Sequence, residues 1–130
     1  MLASSPRTIT KLQGPNANAD FFINNLAVRV GCIFKAGAEG SFLCLRNENN
    51  NDCNIQVTQI PAKKITHVLD TTGCGDNYCS GFEIGLTMGW DIVDCCRLGT
   101  ATAARCAMGL GSDYSNESLD STISFMNQEQ

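Results

Sequence analysis

A carboxylate one residue past a glycine–cysteine–glycine turn is the arrangement in this chain best suited to chemistry. Asp76 follows Gly73, Cys74 and Gly75 within DTTGCGDNYCSGF, residues 70–82. Two glycines open backbone angles closed to other residues. Successive amide N–H groups can then converge on one concavity and take up an anion. A helix starting near Gly75 would add the positive end of its dipole, which favours a phosphate there. A carboxylate beside a bound phosphate is repelled by it, so its presence calls for a reason. One reason is to accept the proton of an attacking hydroxyl, a task that phosphoryl transfer requires. The competing reading is that Asp76 only complements the helix dipole. Spacing alone leaves both open. No G-x-x-x-x-G-K-[ST] occurs, so the loop is not a P-loop.

The elements that must hold this loop can be read along the chain. Residues 1–16, with Pro6, Gly14 and Pro15, have no period and read as an irregular lead-in. From Ala17, the spacing of Phe21, Phe22, Leu26 and Val30 predicts a helix that Gly31 ends. CIFKA (32–36) and SFLCLR (41–46) read as two strands joined by a GAEG bend. NENNNDCN (47–54) is a polar surface loop, and IQVTQI (55–60) is a third strand stopped by Pro61. THVLD (66–70) is a short extended lead into the glycine loop, and His67 an ordinary residue at its end.

A helix follows from about Gly75 to Gly89, with Tyr78, Phe82 and Leu86 as its apolar stripe and Cys79 widening it. Cys79 and Phe82 read as core. Asp91 is the expected N-cap of the next helix, with Asp94 in a capping-box-like position. That helix carries a stripe of mostly small residues: Ile92, Cys96, Gly99, Ala103 and Ala107. A last helix, about 117–126, places Leu119, Ile123 and Met126 on one side. The order is that of an α/β or α+β protein.

Composition narrows the function. The chain has 130 residues with 9 Lys plus Arg against 13 Asp plus Glu, a net charge of −4. That balance argues against nucleic acid, which needs a basic face. It leaves a nucleotide open, because a helix N-terminus holds phosphate without surplus cations. No apolar run approaches the roughly 18 residues of a membrane span, and MLASSPRTITKLQ lacks the apolar core of a secretory signal. The eight cysteines include no C-x-x-C, and the single His67 makes no ligand cluster with them. They read as small buried hydrophobes in a reducing cytoplasm, with at least one of the adjacent Cys95 and Cys96 exposed.

The 70–82 stretch resembles the D-T-x-G-A-G-D-x-F-x-x-G-F signature of the ribokinase-like (PfkB) carbohydrate kinases. It departs at Cys74, where Ala is usual, at Tyr78, where Phe is usual, and at Asn77, where a small residue is commoner. Asn77 is expected to point away from the nest of amides. FKAGAEGSFL resembles the family's strand–T-x-G-x-x-G–strand segment, with Lys35 at the Thr position and Gly37 and Gly40 at the glycines. GTATAARCAMGLGSDYS is similar to the family's alanine-rich helix and the turn after it. The resemblance implies the C-terminal part of a three-layer α/β/α fold, residues 17–130, with the substrate and lid part absent.

On this resemblance, Asp76 is the base and the amides of Gly73, Cys74, Gly75 and Asp76 form the anion hole. Lys35, Gly37, Ala38, Glu39 and Gly40 touch ATP, and Thr100 lies beside the adenine. Asp70, Thr72, Cys106, Gly109, Gly111 and Ser115 hold a monovalent cation such as potassium, where one is bound. Magnesium arrives with the ATP. The partner is a small sugar or nucleoside, with no nucleic acid and no membrane, and a homodimer of the full-length protein is compatible with the family.

Without the resemblance, Gly37 and Gly40 only turn a hairpin, Asp70 caps the loop, and Lys35 is a solvated strand residue. Three functions follow: a kinase of a small alcohol, a nucleotide- or phosphate-binding module, or a structural remnant with no ligand. The fragment alone is expected to be inactive and to expose a sheet edge and an apolar face.

Overall fold

The computed structural model describes residues 30–47, 54–109 and 118–129. The helix expected over 17–29, the loop at 48–53 and the turn containing Gly111 and Ser115 lie outside them. Three strands are present: β1 (Gly31–Lys35), β2 (Ser41–Asn47) and β3 (Asn54–Ile60). They form one sheet in the order β1-β2-β3. The Arg46 amide bonds the Val30 carbonyl at 2.8 Å and the Ala36 amide bonds the Gly40 carbonyl at 2.8 Å, so β1 and β2 form an antiparallel hairpin. Gly31 opens β1, whose residues pair with β2; the helix it was expected to end lies outside the described residues.

The described residues divide into two compact units, one with 30–34, 42–47 and 54–59, the other with 35–41, 60–109 and 118–129. The core of the first unit is Cys44, packed by Cys32, Phe34, Phe42, Ile55 and Val57. These residues sit at period-two spacing on each strand, which puts them on one face of the sheet. Leu43 is buried as well, so the middle strand is covered on both faces.

The second unit holds three helices, α1 (Cys74–Thr87), α2 (Ile92–Met108) and α3 (Leu119–Asn127). Packing runs from α1 to α2 and from α2 to α3. Asp91 caps α2 as expected, its carboxylate accepting from the amides of Val93 at 2.8 Å and Asp94 at 3.1 Å. Asp94 pairs with Arg97 at 2.8 Å. Ser118 caps α3 through the Ser121 amide. Lys63 closes the other end of α3, donating to the carbonyls of Met126 at 3.2 Å and Gln128 at 2.7 Å. A cation is favoured at that pole of the dipole.

The buried face of α1 differs from the apolar stripe. Tyr78, Gly81 and Gly85 are buried, whereas Leu86 is 50% exposed and Cys79 is exposed. Glycine carries no hydrophobic signal, yet it lets α2 come closest. A Cβ on Gly85 would lie 2.9 Å from the Cys95 sulfur, and one on Gly99 would lie 2.8 Å from the Tyr78 carbonyl. Cys95 and Cys96 are both fully buried, against the expectation that one would be exposed. Cys95 packs at Gly85, while Cys96 lies beside Tyr78. Leu98 and Ala101 form the core with Met126, packed by Trp90, Ile123 and Phe125. Leu119, expected in that cluster, is exposed in the first turn of α3. Residues 66–70 carry no strand.

Candidate functional site

The glycine loop is held from below by α2. The amides of Leu69 and Asp70 both reach the Ala107 carbonyl, at 2.7 and 3.3 Å. Asp70 accepts the Thr72 amide at 2.9 Å, which tightens the turn. The Cys106 thiol donates to the Thr72 carbonyl at 3.3 Å. Thr102 donates to the Asn77 carbonyl at 2.7 Å. The Asn77 side chain donates to the Gly73 carbonyl at 3.0 Å and to the Cys106 sulfur at 3.5 Å. Its partner lies on another helix, out of reach of any local pattern.

Gly73 is the N-cap of α1, with φ 80° and ψ −1° in the left-handed region. This conformation lets the chain turn straight from the loop into the helix. The first α-helical bond runs from the Asn77 amide to the Gly73 carbonyl at 2.9 Å. The Cys74 amide is engaged by the Thr71 carbonyl at 3.2 Å. Among the described residues, the amides of Gly73, Gly75 and Asp76 have no acceptor. Asp76 is exposed in the first turn.

The 35–40 segment comes to the same place. The Lys35 ammonium donates to the Gly75 carbonyl at 3.2 Å and lies 3.8 Å from the Cys79 sulfur. Ser41 and Tyr78 share a buried hydroxyl–hydroxyl bond of 2.8 Å. Burial pushes the Tyr78 phenol well above its ordinary range, and the Ser41 bond partly offsets this. Lys35 and Ser41 are thus both fastened to α1, and the exposed turn Gly37–Glu39 with Gly40 is strung between them. Neither Ser41 nor Tyr78 was among the sequence candidates. The signal that was present, a polar tip on an aromatic where Phe is usual, names no partner.

Thr100 stands apart. It is 6% exposed and its hydroxyl donates to the Cys96 carbonyl at 2.9 Å within α2. Of the cation candidates, Asp70, Thr72 and Cys106 are brought together beneath the loop. The Gly109 amide bonds the Cys106 carbonyl at 3.1 Å. Burial, interaction with the neighbouring Cys74 thiol and its charge, and then the Asp70 charge push the Cys106 thiol up to about 11. No group of three or more His, Cys, Asp or Glu side chains suited to a metal occurs among the described residues. No described helix is long and apolar enough to cross a membrane.

Comparison with known proteins places the chain in a family. The pattern of the pfkB family carbohydrate kinases matches residues 28–119, well over half of the chain. The chain belongs to that family. It is 36% identical over 78 residues to an uncharacterized sugar kinase of Archaeoglobus fulgidus, covering 60% of this chain and 28% of that protein. It superposes on the nucleoside kinase of Methanocaldococcus jannaschii with a TM-score of 0.67 and 25% identity, covering 80% of this chain and 32% of the other. It also superposes on the ribokinase of Arabidopsis thaliana, whose structure holds ribose and ATP. That TM-score is 0.70 with 19% identity, over 97% of this chain and 36% of the other. The fold is therefore that of the ribokinase-type α/β kinases, and the chain spans about a third or less of each relative's length.

Proposed function

We propose that this chain supplies the ATP-binding and catalytic part, residues 17–130, of a kinase that transfers a phosphoryl group to a hydroxyl of a sugar or nucleoside. One observation carries the reading: the exposed Asp76 carboxylate stands in the first turn of α1 beside the amides of Gly73, Gly75 and Asp76, which have no acceptor among the described residues. Asp76 takes the proton from the acceptor hydroxyl as its oxygen forms a bond to the γ-phosphorus. The bond to the bridging oxygen breaks and ADP leaves. The amides and the helix pole take the charge that grows on the phosphoryl oxygens. Cys74 contributes its backbone position more than its amide.

Lys35 lies beside the same turn and offsets phosphate charge, while Gly37, Ala38, Glu39 and Gly40 border the nucleotide. Magnesium comes held by the phosphates and water. Asp70, Thr72, Cys106 and Gly109, with Gly111 and Ser115, are the proposed seat of a monovalent cation that would steady the loop. Thr100 belongs to the packing of α2. The cytoplasm, which supplies ATP and keeps thiols reduced, is the compartment this chemistry fits.

The test has two parts. Calorimetric titration with magnesium and ADP should show saturable binding to the chain. A chimera should then be built in which residues 17–130 complete the N-terminal portion of the Methanocaldococcus jannaschii nucleoside kinase. It should phosphorylate a nucleoside or ribose, and Asp76→Asn should abolish that turnover without weakening ADP. Binding without turnover in the chimera would leave a nucleotide-binding module, and no binding at millimolar nucleotide would leave a remnant.

A further inference from the structure

An amine and a thiol meet on the open side of α1. The Lys35 ammonium lies 3.8 Å from the Cys79 sulfur and donates to the Gly75 carbonyl at 3.2 Å. Both residues are exposed, and Cys79 is a free thiol. The ammonium fits there because residue 75 has no side chain: a Cβ on Gly75 would press on it at 3.2 Å. Among the described residues, Cys44, Cys95, Cys96 and Cys106 are buried and Cys32 and Cys74 are half-buried, so Cys79 is the thiol most open to a reagent. The family pattern has Thr at the Lys35 position and specifies no residue at the Cys79 position. The pairing is therefore a property of this chain's own residues.

We propose that Cys79 and Lys35 form an acyl-relay modification site, in which Cys79 takes an acyl group from a small thioester and hands it to Lys35 as an amide. Cys79 loses its proton, and its sulfur attacks the carbonyl carbon of the thioester RC(O)SR′. The bond from that carbon to the R′ sulfur breaks, and the departing thiolate takes up the proton as R′SH. Lys35 gives its ammonium proton to water, and the free amine attacks the carbonyl carbon now bonded to Cys79. The carbon–sulfur bond breaks, the amide forms, and the amine's next proton restores the Cys79 thiol. One lysine ammonium and one thioester thus give one acylated lysine, one R′SH and one proton. Nothing is oxidised or reduced, and Cys79 ends as it began. Dividing one slow acyl transfer into two easier ones is what a covalent nucleophile does.

Geometry favours the second step. With the amine 3.8 Å from the sulfur, a carbonyl carbon bonded to that sulfur comes within reach of the roughly 3–3.5 Å separation from which bonds form. Lys63 supplies the contrast within the same chain. Its ammonium donates to the carbonyls of Met126 and Gln128 and lies over the Phe125 ring. Burial, and then the Arg97 charge, pushes it below its ordinary range. Direct attack by the more readily deprotonated amine would thus favour Lys63, and the relay favours Lys35. Acylation removes the Lys35 charge beside the first turn of α1. Weaker phosphate binding would follow; that effect rests on the phosphoryl-transfer reading, whereas the acyl relay does not.

The experiment incubates the whole protein with S-acetyl-N-acetylcysteamine, a thioester without a nucleotide part, and follows acetylation of each lysine by peptide mass spectrometry. Lys35 should be acetylated at least tenfold faster than Lys63. Cys79→Ala and Cys79→Ser should each slow Lys35 at least tenfold and leave Lys63 unchanged, which also shows that the variants keep their fold. In Lys35→Arg the acetyl group should stay on Cys79 and be released by hydroxylamine. Lys35 reacting no faster than Lys63, or reacting equally fast without Cys79, overturns the proposal. ADP affinity should fall several-fold on acetylation, and an unchanged affinity overturns the effect on phosphate binding. An unmodified protein that binds no nucleotide counts against the kinase reading, while the lysine rates still decide the relay.

Discussion

Asp76 and Lys35 place opposite charges beside one stretch of bare backbone, and each has its own signature on removal. Asp76→Asn keeps the shape and removes the proposed base, so kcat in the chimera should fall by about 10²–10⁴-fold with ATP affinity little changed. A fall in affinity with kcat intact would instead make Asp76 a binding residue. Lys35→Met should weaken ATP several-fold, and salt should narrow the difference because the ammonium is exposed. Gly73→Ala should cost about 1–2 kcal/mol in urea denaturation, because a Cβ is disfavoured at the left-handed angle held there. At this scale the sequence was informative about Gly73 and Asp76, whose residue types are tied to local backbone geometry. It was silent on Asn77, Ser41 and Tyr78. Their partners are Cys106, Tyr78 and Ser41, residues 29 and 37 positions away that only the fold brings near.

Among the elements, the pairing of α1 with α2 depends on glycines. Gly85→Ala would force a methyl carbon to within 2.9 Å of the Cys95 sulfur. The expected cost is about 1–3 kcal/mol of overpacking, measured as a lower denaturation midpoint with unchanged slope. An unchanged midpoint would mean that the helices are free to separate. The strands were legible because alternation fixes both their existence and their buried face. Helix starts at Asp91 and near Gly75 were legible from capping and loop chemistry. The inner face of α1 was not, since hydrophobic spacing points to Leu86 and Cys79 while the contact is made by Gly81 and Gly85.

Taken over the whole molecule, buried thiols set an alkaline limit on stability. Cys44 is pushed from 9.0 up to about 12, first by burial and then by the neighbouring Cys32. Cys106 is pushed up to about 11. Unfolding restores ordinary thiols, which ionise near 9, so the unfolded chain sheds protons first as pH rises. The stability these groups contribute is therefore complete below about pH 9 and declines from there toward 11–12. Urea unfolding under reducing conditions should show that decline. A flat profile to pH 11 would mean that neither thiol is buried in solution. Val68, Leu69, Ile84, Leu86 and Met88 are exposed. The family and α/β class were legible from the loop signature. The division into two units was not, because it depends on contacts rather than on any local pattern.

Cys44, Cys95, Cys96 and Cys106 are each sealed from solvent at a different station: the sheet, the two sides of the start of α2, and the floor of the glycine loop. Each can be modified by a maleimide only during moments when its own neighbourhood breathes open. The molecule thus carries four built-in stopwatches. The order in which they are labelled would chart which parts of the protein loosen first, without an altered residue.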